Sequence, residues 1–310
     1  MQKFGATNET NAGILQTTQK FSLGGSGFIM TVKKRTHFVT EKVPILVALV
    51  FMLGGFLIPA LLGQFVGNLI GMDSLAGRNV MRIIGIALSL LMLFLFKMWF
   101  QPEYEGSIKM EGLAYGMKLY VPIIVFWVIW YIFRIVAEGD MYEFSAEALF
   151  EGLRAGVTEE IAFRGLAAAV LFRQFRKGNS ILIPPLFAGI VFGGVHLVNL
   201  TAGEPIGLVL PTVAFAIGFG SVFGLNYALC GNVIPSMIIH SAYDAFVFMG
   251  VDDGGASEIG WVNYVEIGMM FAFAIFYLIL LIRNKDKTIA LWNRKWGGDT
   301  GEAVQKTNLE

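Results

Sequence analysis

A chain of 310 residues with 55% hydrophobic and only 15% charged side chains is not composed like a soluble domain, in which about a quarter of residues carry charge. Its 23 basic residues balance 23 acidic ones, so no bulk field draws it to nucleic acid. The single cysteine, Cys230, excludes an intrachain disulfide, a thiolate metal cluster and a dithiol redox pair, and reads as a small buried side chain.

In chain order, residues 1–42 are polar, rich in Gly, Thr, Gln and Asn, and are expected to be mostly disordered and to hold no cleavable signal sequence. Eight apolar blocks follow, at 43–67, 79–100, 117–136, 148–172, 181–200, 205–229, 232–250 and 262–282. They are long enough to cross a bilayer as helices, which takes roughly 20 residues each. The fold class is therefore all-α, a polytopic membrane bundle of about eight transmembrane helices. Residues 43–144 hold the first three, 145–250 the next four, and 251–310 the eighth with a basic tail. Between blocks two and three, 103–116 mixes charged and apolar positions and is either a short helix in the interface plane or a loop.

Lys and Arg near helix ends resist translocation, which sets orientation. Lys33, Lys34, Arg35 and Lys42 precede block one; Lys97 and Lys109 fall between two and three; Arg173, Arg176 and Lys177 between four and five; Arg283, Lys285 and Lys287 follow block eight. The other side carries Asp140, Glu143, Glu147, Glu204, Asp252, Asp253 and Glu258, with Arg78 its main base. An even helix count with both termini in the cytoplasm is the consistent solution, and the cell membrane is the expected location.

Charged side chains within spanning helices cost roughly 2.5–3.5 kcal/mol each on insertion scales, so those present are the place to look for chemistry. Block four places Glu160 and Arg164 four residues apart on one helix face, in the favourable order for an ion pair. Glu159 is about 100° further round and has no evident partner in its own helix. Block five carries His196, with Phe192 one turn before it and Asn199 three residues after; block seven carries His240, with Asp244 one turn on. One His on an apolar helix reads as a satisfied core residue. Two beside an unpaired Glu are most simply explained by one shared polar site. The third, His37, lies in the basic segment before block one and reads as solvated.

Glu159-Glu160 with Arg164, then Phe192 with His196, then His240 with Asp244, in this order on successive membrane helices, resembles the CPBP family of intramembrane proteases, which includes the CAAX-processing, Ras-converting enzymes. The resemblance covers roughly residues 145–250. It implies an endopeptidase in which Glu159 and His196 activate water, His240 with Asp244 stands on the oxyanion side, and Glu160 and Arg164 hold the helix, with Phe192 and Asn199 in support. Fixed donors in a water-poor site suit oxyanion stabilisation. An ionised Asp244 has no proton to donate there, so it would serve by orienting His240 or holding its proton.

Glu159, His196 and His240 also form a His₂Glu set, a known catalytic zinc combination, although no HExxH is present. A metal-free, glutamate-dependent mechanism with no cofactor is favoured, and zinc is the alternative. The expected partners are the lipid bilayer and a lipidated or membrane-associated peptide or protein, cut near the membrane surface. Two readings from other classes stay open: a non-catalytic membrane scaffold or immunity-type protein, and an ion-coupled carrier in which the same residues relay protons.

Overall fold

The computed structural model describes residues 42–101, 103–250 and 260–297, and the helix bundle belongs to the unit Ile45–Glu310. The tail 1–41, with Lys33, Lys34, Arg35 and His37, and the acids Asp252, Asp253 and Glu258 lie outside the described residues.

Among the described residues every regular element is helical: α1 Pro44–Ile70, α2 Leu75–Leu95, α3 Leu113–Phe133, α4 Ala146–Glu160, α5 Ala169–Gln174, α6 Ile183–Val195, α7 Ile206–Cys230, α8 Ile234–Phe248, α9 Trp261–Arg283 and α10 Lys285–Lys295. The π-helical stretch Ile161–Ala168 joins α4 to α5, and a 3₁₀ stretch, His196–Ala202, prolongs α6. Local chemistry sets the boundaries. The Ser74 and Ser145 hydroxyls accept from Gly77 N (3.0 Å) and Ala148 N (3.2 Å) to cap α2 and α4. Gly231, at φ 66°, turns the chain out of α7 in the left-handed conformation that glycine adopts at least cost. Pro184 and Pro185, which the sequence places within a block, sit in the first turn of α6, where no intrahelical N–H is lost.

Cross-helix pairs fix the direction of each helix. Tyr120 meets Ser236 (2.9 Å) and Tyr131 packs on Phe246, so α3 and α8 run parallel. Gly152 faces Ala245 while Gly156 faces Ser241, and Gly189 faces Ser221 while Gly193 faces Ile217, so α4 opposes α8 and α6 opposes α7. Trp130 bonds Glu266 (2.7 Å) and Tyr277 bonds the Leu119 carbonyl, so α3 opposes α9. The bundle thus has two ends. One gathers the turns 71–74, 139–145, 203–205 and the end of α8; the other gathers 101–112, 175–182, 231–233 and α10. At this second end Glu105 N donates to Lys295 O (2.7 Å), Val233 N to Ser107 O (2.9 Å), and Arg173 pairs with Glu103 (3.2 Å).

Residues 103–112 are irregular, so the stretch that the sequence leaves between helix and loop is a loop up to the start of α3. The extra helix is α10, inside the segment expected as a basic tail. The Trp292 indole seats it, stacking on Phe172 (3.7 Å between centroids) and donating to the Ala228 carbonyl (2.9 Å).

Among the described residues six helices qualify as membrane spans by length and composition: Pro44–Ile70, Leu75–Met98, Leu113–Glu138, Gly178–Ala202, Ile206–Cys230 and Trp261–Arg283. The two expected blocks that do not qualify are α4–α5, too charged, and α8, only 15 residues long. Neither has to be apolar all round, because each is lodged in the other. A Cβ on Gly152 would sit 2.4 Å from Ala245 N, and one on Gly156 2.4 Å from Ser241 N. Small residues at this spacing let two membrane helices approach backbone to backbone, where dispersion and interhelical hydrogen bonds replace the missing hydrophobic drive. Gly156→Val is therefore expected to cost about 1–3 kcal/mol by overpacking. It should lower the melting midpoint of the detergent-solubilised protein, whereas Gly268→Ala, at a site with open space, should leave the midpoint unchanged.

Candidate active site

Six elements bring the functional side chains to one place. α4 supplies Glu159 and Glu160, the π-helical stretch supplies Arg164, the last turn of α6 supplies Phe192, the 3₁₀ stretch opens on His196, α7 contributes the Phe219 and Phe223 rings, and α8 carries His240 and Asp244. The π-helical stretch, one residue wider per hydrogen-bonded turn, begins directly after Glu160, as such bulges commonly do beside functional residues.

A single oxygen, Glu160 Oε1, accepts from Arg164 Nη1 (2.9 Å) and from His240 Nδ1 (2.9 Å). The second terminal nitrogen of Arg164, Nη2, donates to the Gly220 carbonyl of α7 (2.7 Å). Glu160 and Arg164 are fully buried, and the guanidinium lies 5.0 Å from the Phe192 ring centroid. The pair anticipated within one helix is thus a junction of three helices. With Nδ1 turned to Glu160, the opposite ring nitrogen of His240 points toward two carboxylates, Asp244 Oδ2 at 3.4 Å and Glu159 Oε2 at 3.8 Å. Three groups this close need at least one proton among them, since a bare imidazole nitrogen and two carboxylates would only repel. Phe192, Phe219 and Phe223 wall the imidazole in at 4.9–5.8 Å.

A cavity of about 580 Å³ opens beyond these residues. Glu159, His196, His240 and Asp244 all line it, as does Phe192. His196 directs Nδ1 at the Phe192 carbonyl one turn back (2.9 Å), which fixes the ring and leaves its other nitrogen free of that bond. Glu160 and Arg164 stand behind the cavity wall. Asn199 does not reach it: its amide donates to Glu204 (3.2 Å) at the surface. Among the described residues no three His, Cys, Asp or Glu side chains are grouped so as to surround one ion.

Residues that the sequence reading passed over complete the lining. Arg154, five residues before Glu159, is held by Glu151 (2.8 Å). Glu266, in the first turns of α9, accepts from Trp130 (2.7 Å) and Arg134 (3.3 Å), and Arg134 also pairs with Asp140 (2.6 Å). Glu266 is a buried carboxylate in an apolar span, and the insertion cost applied to Glu159 would have flagged it equally.

Residues 142–246 match the family model for Rce1-like proteins, described as type II CAAX prenyl endopeptidase Rce1-like. This segment is a CPBP-family domain. No curated protein and no solved structure matches the chain. The CPBP domain begins at the linker ahead of α4 and ends two residues after Asp244, so it contains Glu159, His196, His240 and Asp244, while α1 to α3 and α9 lie outside it. The protein is an integral membrane helix bundle built around a domain of the intramembrane endopeptidase family.

Two outcomes follow for the support of this CPBP domain. Arg164→Ala leaves Glu160 buried with its ion partner gone, a change that costs about 3–5 kcal/mol, and a large drop in thermal or denaturant midpoint should result. At the first turn of α4, ahead of the spanning stretch, hydrogen bonds from Arg78 and Arg82 hold the Glu147 carboxyl down at about 2 from the usual 4.5. A lowered value stabilises the fold fully above pH 4.5, and that contribution is lost as pH falls toward 2. The melting temperature should decline over that window, and Glu147→Gln should flatten part of the decline.

Proposed function

We propose that the protein is an intramembrane endopeptidase that hydrolyses a peptide bond near the membrane surface in a lipidated or membrane-associated polypeptide. The observation that carries this reading is the convergence of Glu159, His196, His240 and Asp244 on one cavity inside an apolar bundle, in a segment that matches an endopeptidase family.

In this reading a water molecule in the cavity loses a proton to the Glu159 carboxylate, with His196 orienting it, and its oxygen bonds to the scissile carbonyl carbon. The carbonyl oxygen becomes an oxyanion beside His240. That ring is held on one side by Glu160 and on the other faces Asp244, so a proton on the Asp244 side can be offered to the oxyanion without reorganisation. When the C–N bond breaks, the proton taken by Glu159 passes to the leaving amine. Glu160 and Arg164 take no proton; they keep His240 aimed. The mechanism as proposed uses no resident metal. The protein sits in the cell membrane with both termini in the cytoplasm.

Glu159→Gln, His196→Ala and His240→Ala should each lower cleavage of a membrane-anchored substrate by three orders of magnitude or more, on the scale of losing a positioned acid–base group, with each variant still inserted and monodisperse. A chelator should leave wild-type cleavage intact. Full activity in the Glu159 variant would remove the proposed base, and chelator-sensitive activity restored by zinc would replace it with a metal mechanism. A scaffold would retain its biological effect in all three variants.

A further inference from the structure

We infer that the cavity opens on the face of the membrane away from the cytoplasm, so that its substrate is a membrane-anchored polypeptide whose scissile bond is presented from the extracytoplasmic side. The word substrate rests on the endopeptidase reading; the sidedness does not.

Two independent observations carry it. The first is where the lining residues fall along their helices. Tyr131 and Arg134 are at the end of α3, Pro211 and Thr212 near the start of α7, Val247 and Phe248 at the end of α8, and Asn263 and Glu266 at the start of α9. All of these helix ends belong to the same end of the bundle, the one with the turns 139–145 and 203–205. Burial runs the same way: Phe192, Phe219 and His240 are at most 3% exposed, whereas Val247 and Phe248 at the mouth are 43% and 49% exposed. Toward the opposite end packed side chains back the cavity, and the separate groove of about 630 Å³ there, beside Tyr115, Leu229 and Leu291, shares no lining residue with it. Every residue of Gly218–Cys230 on α7 is buried, as are Ala169–Phe172 on α5, and below them Tyr104, Ser107 and Tyr227 close a buried hydroxyl cluster at 2.8–2.9 Å.

The second observation is the charge on the two ends. The closed end carries Lys97, Lys109, Arg173, Arg176, Lys177, Arg283, Lys285, Lys287, Arg294 and Lys295. The open end carries no lysine among the described residues, and its arginines are tied to carboxylates: Arg78 and Arg82 to Glu147 and Glu151, Arg134 to Asp140 and Glu266. Asp73, Glu143 and Glu204 add negative charge there. The positive-inside rule counts lysine and arginine near helix ends, and it places the closed end in the cytoplasm.

The geometry sets the reach a substrate needs. From His240 to the end of α8 at Phe248 the helical rise is about 12 Å, the span of roughly four extended residues at about 3.3 Å each. A substrate anchored in the outer leaflet thus has to offer a short extended stretch, and a continuous helix would not serve.

The full-length protein tests this by thiol accessibility, with the buried Cys230 of the wild type as background. Single variants Thr212→Cys and Val247→Cys at the cavity, and Lys177→Cys and Lys287→Cys at the closed end, are treated with a membrane-impermeant methanethiosulfonate reagent in spheroplasts and in inverted vesicles. The two cavity thiols should react in spheroplasts and the two closed-end thiols only in inverted vesicles, each by a margin of tenfold or more. Reaction of the cavity thiols from the cytoplasmic side alone, or from neither side, overturns the inference, as does reaction of the Lys177 variant in spheroplasts. The labelling needs no substrate. Loss of the endopeptidase reading through an active Glu159→Gln variant therefore leaves the sidedness result standing, and an inverted labelling pattern leaves the protease reading standing.

Discussion

One carboxylate oxygen, Glu160 Oε1, accepts from an arginine on its own strand of helix and from a histidine on another, and most of the bundle is arranged around that shared bond. Neither α4 nor α8 is apolar enough to face lipid on every side, and in a bilayer interior an unpaired buried charge is costly. The two helices answer this by closing on each other. Gly152 and Gly156 lie flat against Ser241 and Ala245, which brings the backbones near enough for His240 to reach Glu160. The Arg164 bond to the Gly220 carbonyl then adds α7 to the junction. The remaining long helices supply the lipid-facing surface, shown by exposed residues such as Leu61, Phe65, Val121, Ile129 and Ile275.

This arrangement separates holding from reacting. Glu160 and Arg164 are buried behind the cavity wall and spend their hydrogen bonds on structure, while Glu159, one residue earlier, keeps 18% of its side chain accessible and faces the cavity. A helix turns about 100° per residue, so adjacent glutamates are a compact way to put a structural carboxylate and a reactive one on different faces of the same turn. The imidazole of His240 joins the two roles: one nitrogen is fixed by the structural carboxylate, and the other meets Asp244 and Glu159.

What was legible in the sequence is what local spacing encodes. The i, i+4 relation of Glu160 and Arg164, the divergence of Glu159, and the helical blocks all depend on residues within a few turns of each other. The Glu160–His240 bond was not legible, because it joins positions 80 residues apart and no periodicity reports on it. The spacing of Phe192 and His196 was visible, but not that the histidine would bond the Phe192 carbonyl in addition to packing on its ring. Asn199 was read as support because it follows His196 by three residues. It does stand one turn further along the 3₁₀ stretch, but that turn lies toward the surface, where its amide donates to Glu204. Trp292 and α10 were hidden for another reason: the segment is too polar for a hydropathy signal, and its anchors, the Trp292 indole and the Lys295 bonds to residues 105 and 106, are long-range contacts.

The cavity itself follows from what the helices present to one another at its end of the bundle. Along α7 every residue of Gly218–Cys230 is buried and packing is continuous, whereas the positions that α3, α7, α8 and α9 turn to the cavity include Arg134, Thr212, Asp244 and Glu266. A helix needs roughly 20 residues to cross about 30 Å of hydrocarbon; α8 has 15, a rise of about 22 Å, yet it reaches this end, where Glu143 N donates to Met249 O (2.9 Å). Polar groups persist in an apolar bundle where they face protein or a water-filled space, and Arg134 and Glu266 meet that condition by pairing with each other and with Asp140 and Trp130. The side chains that would be costly to leave in lipid are thus the ones that line the way in to the imidazoles.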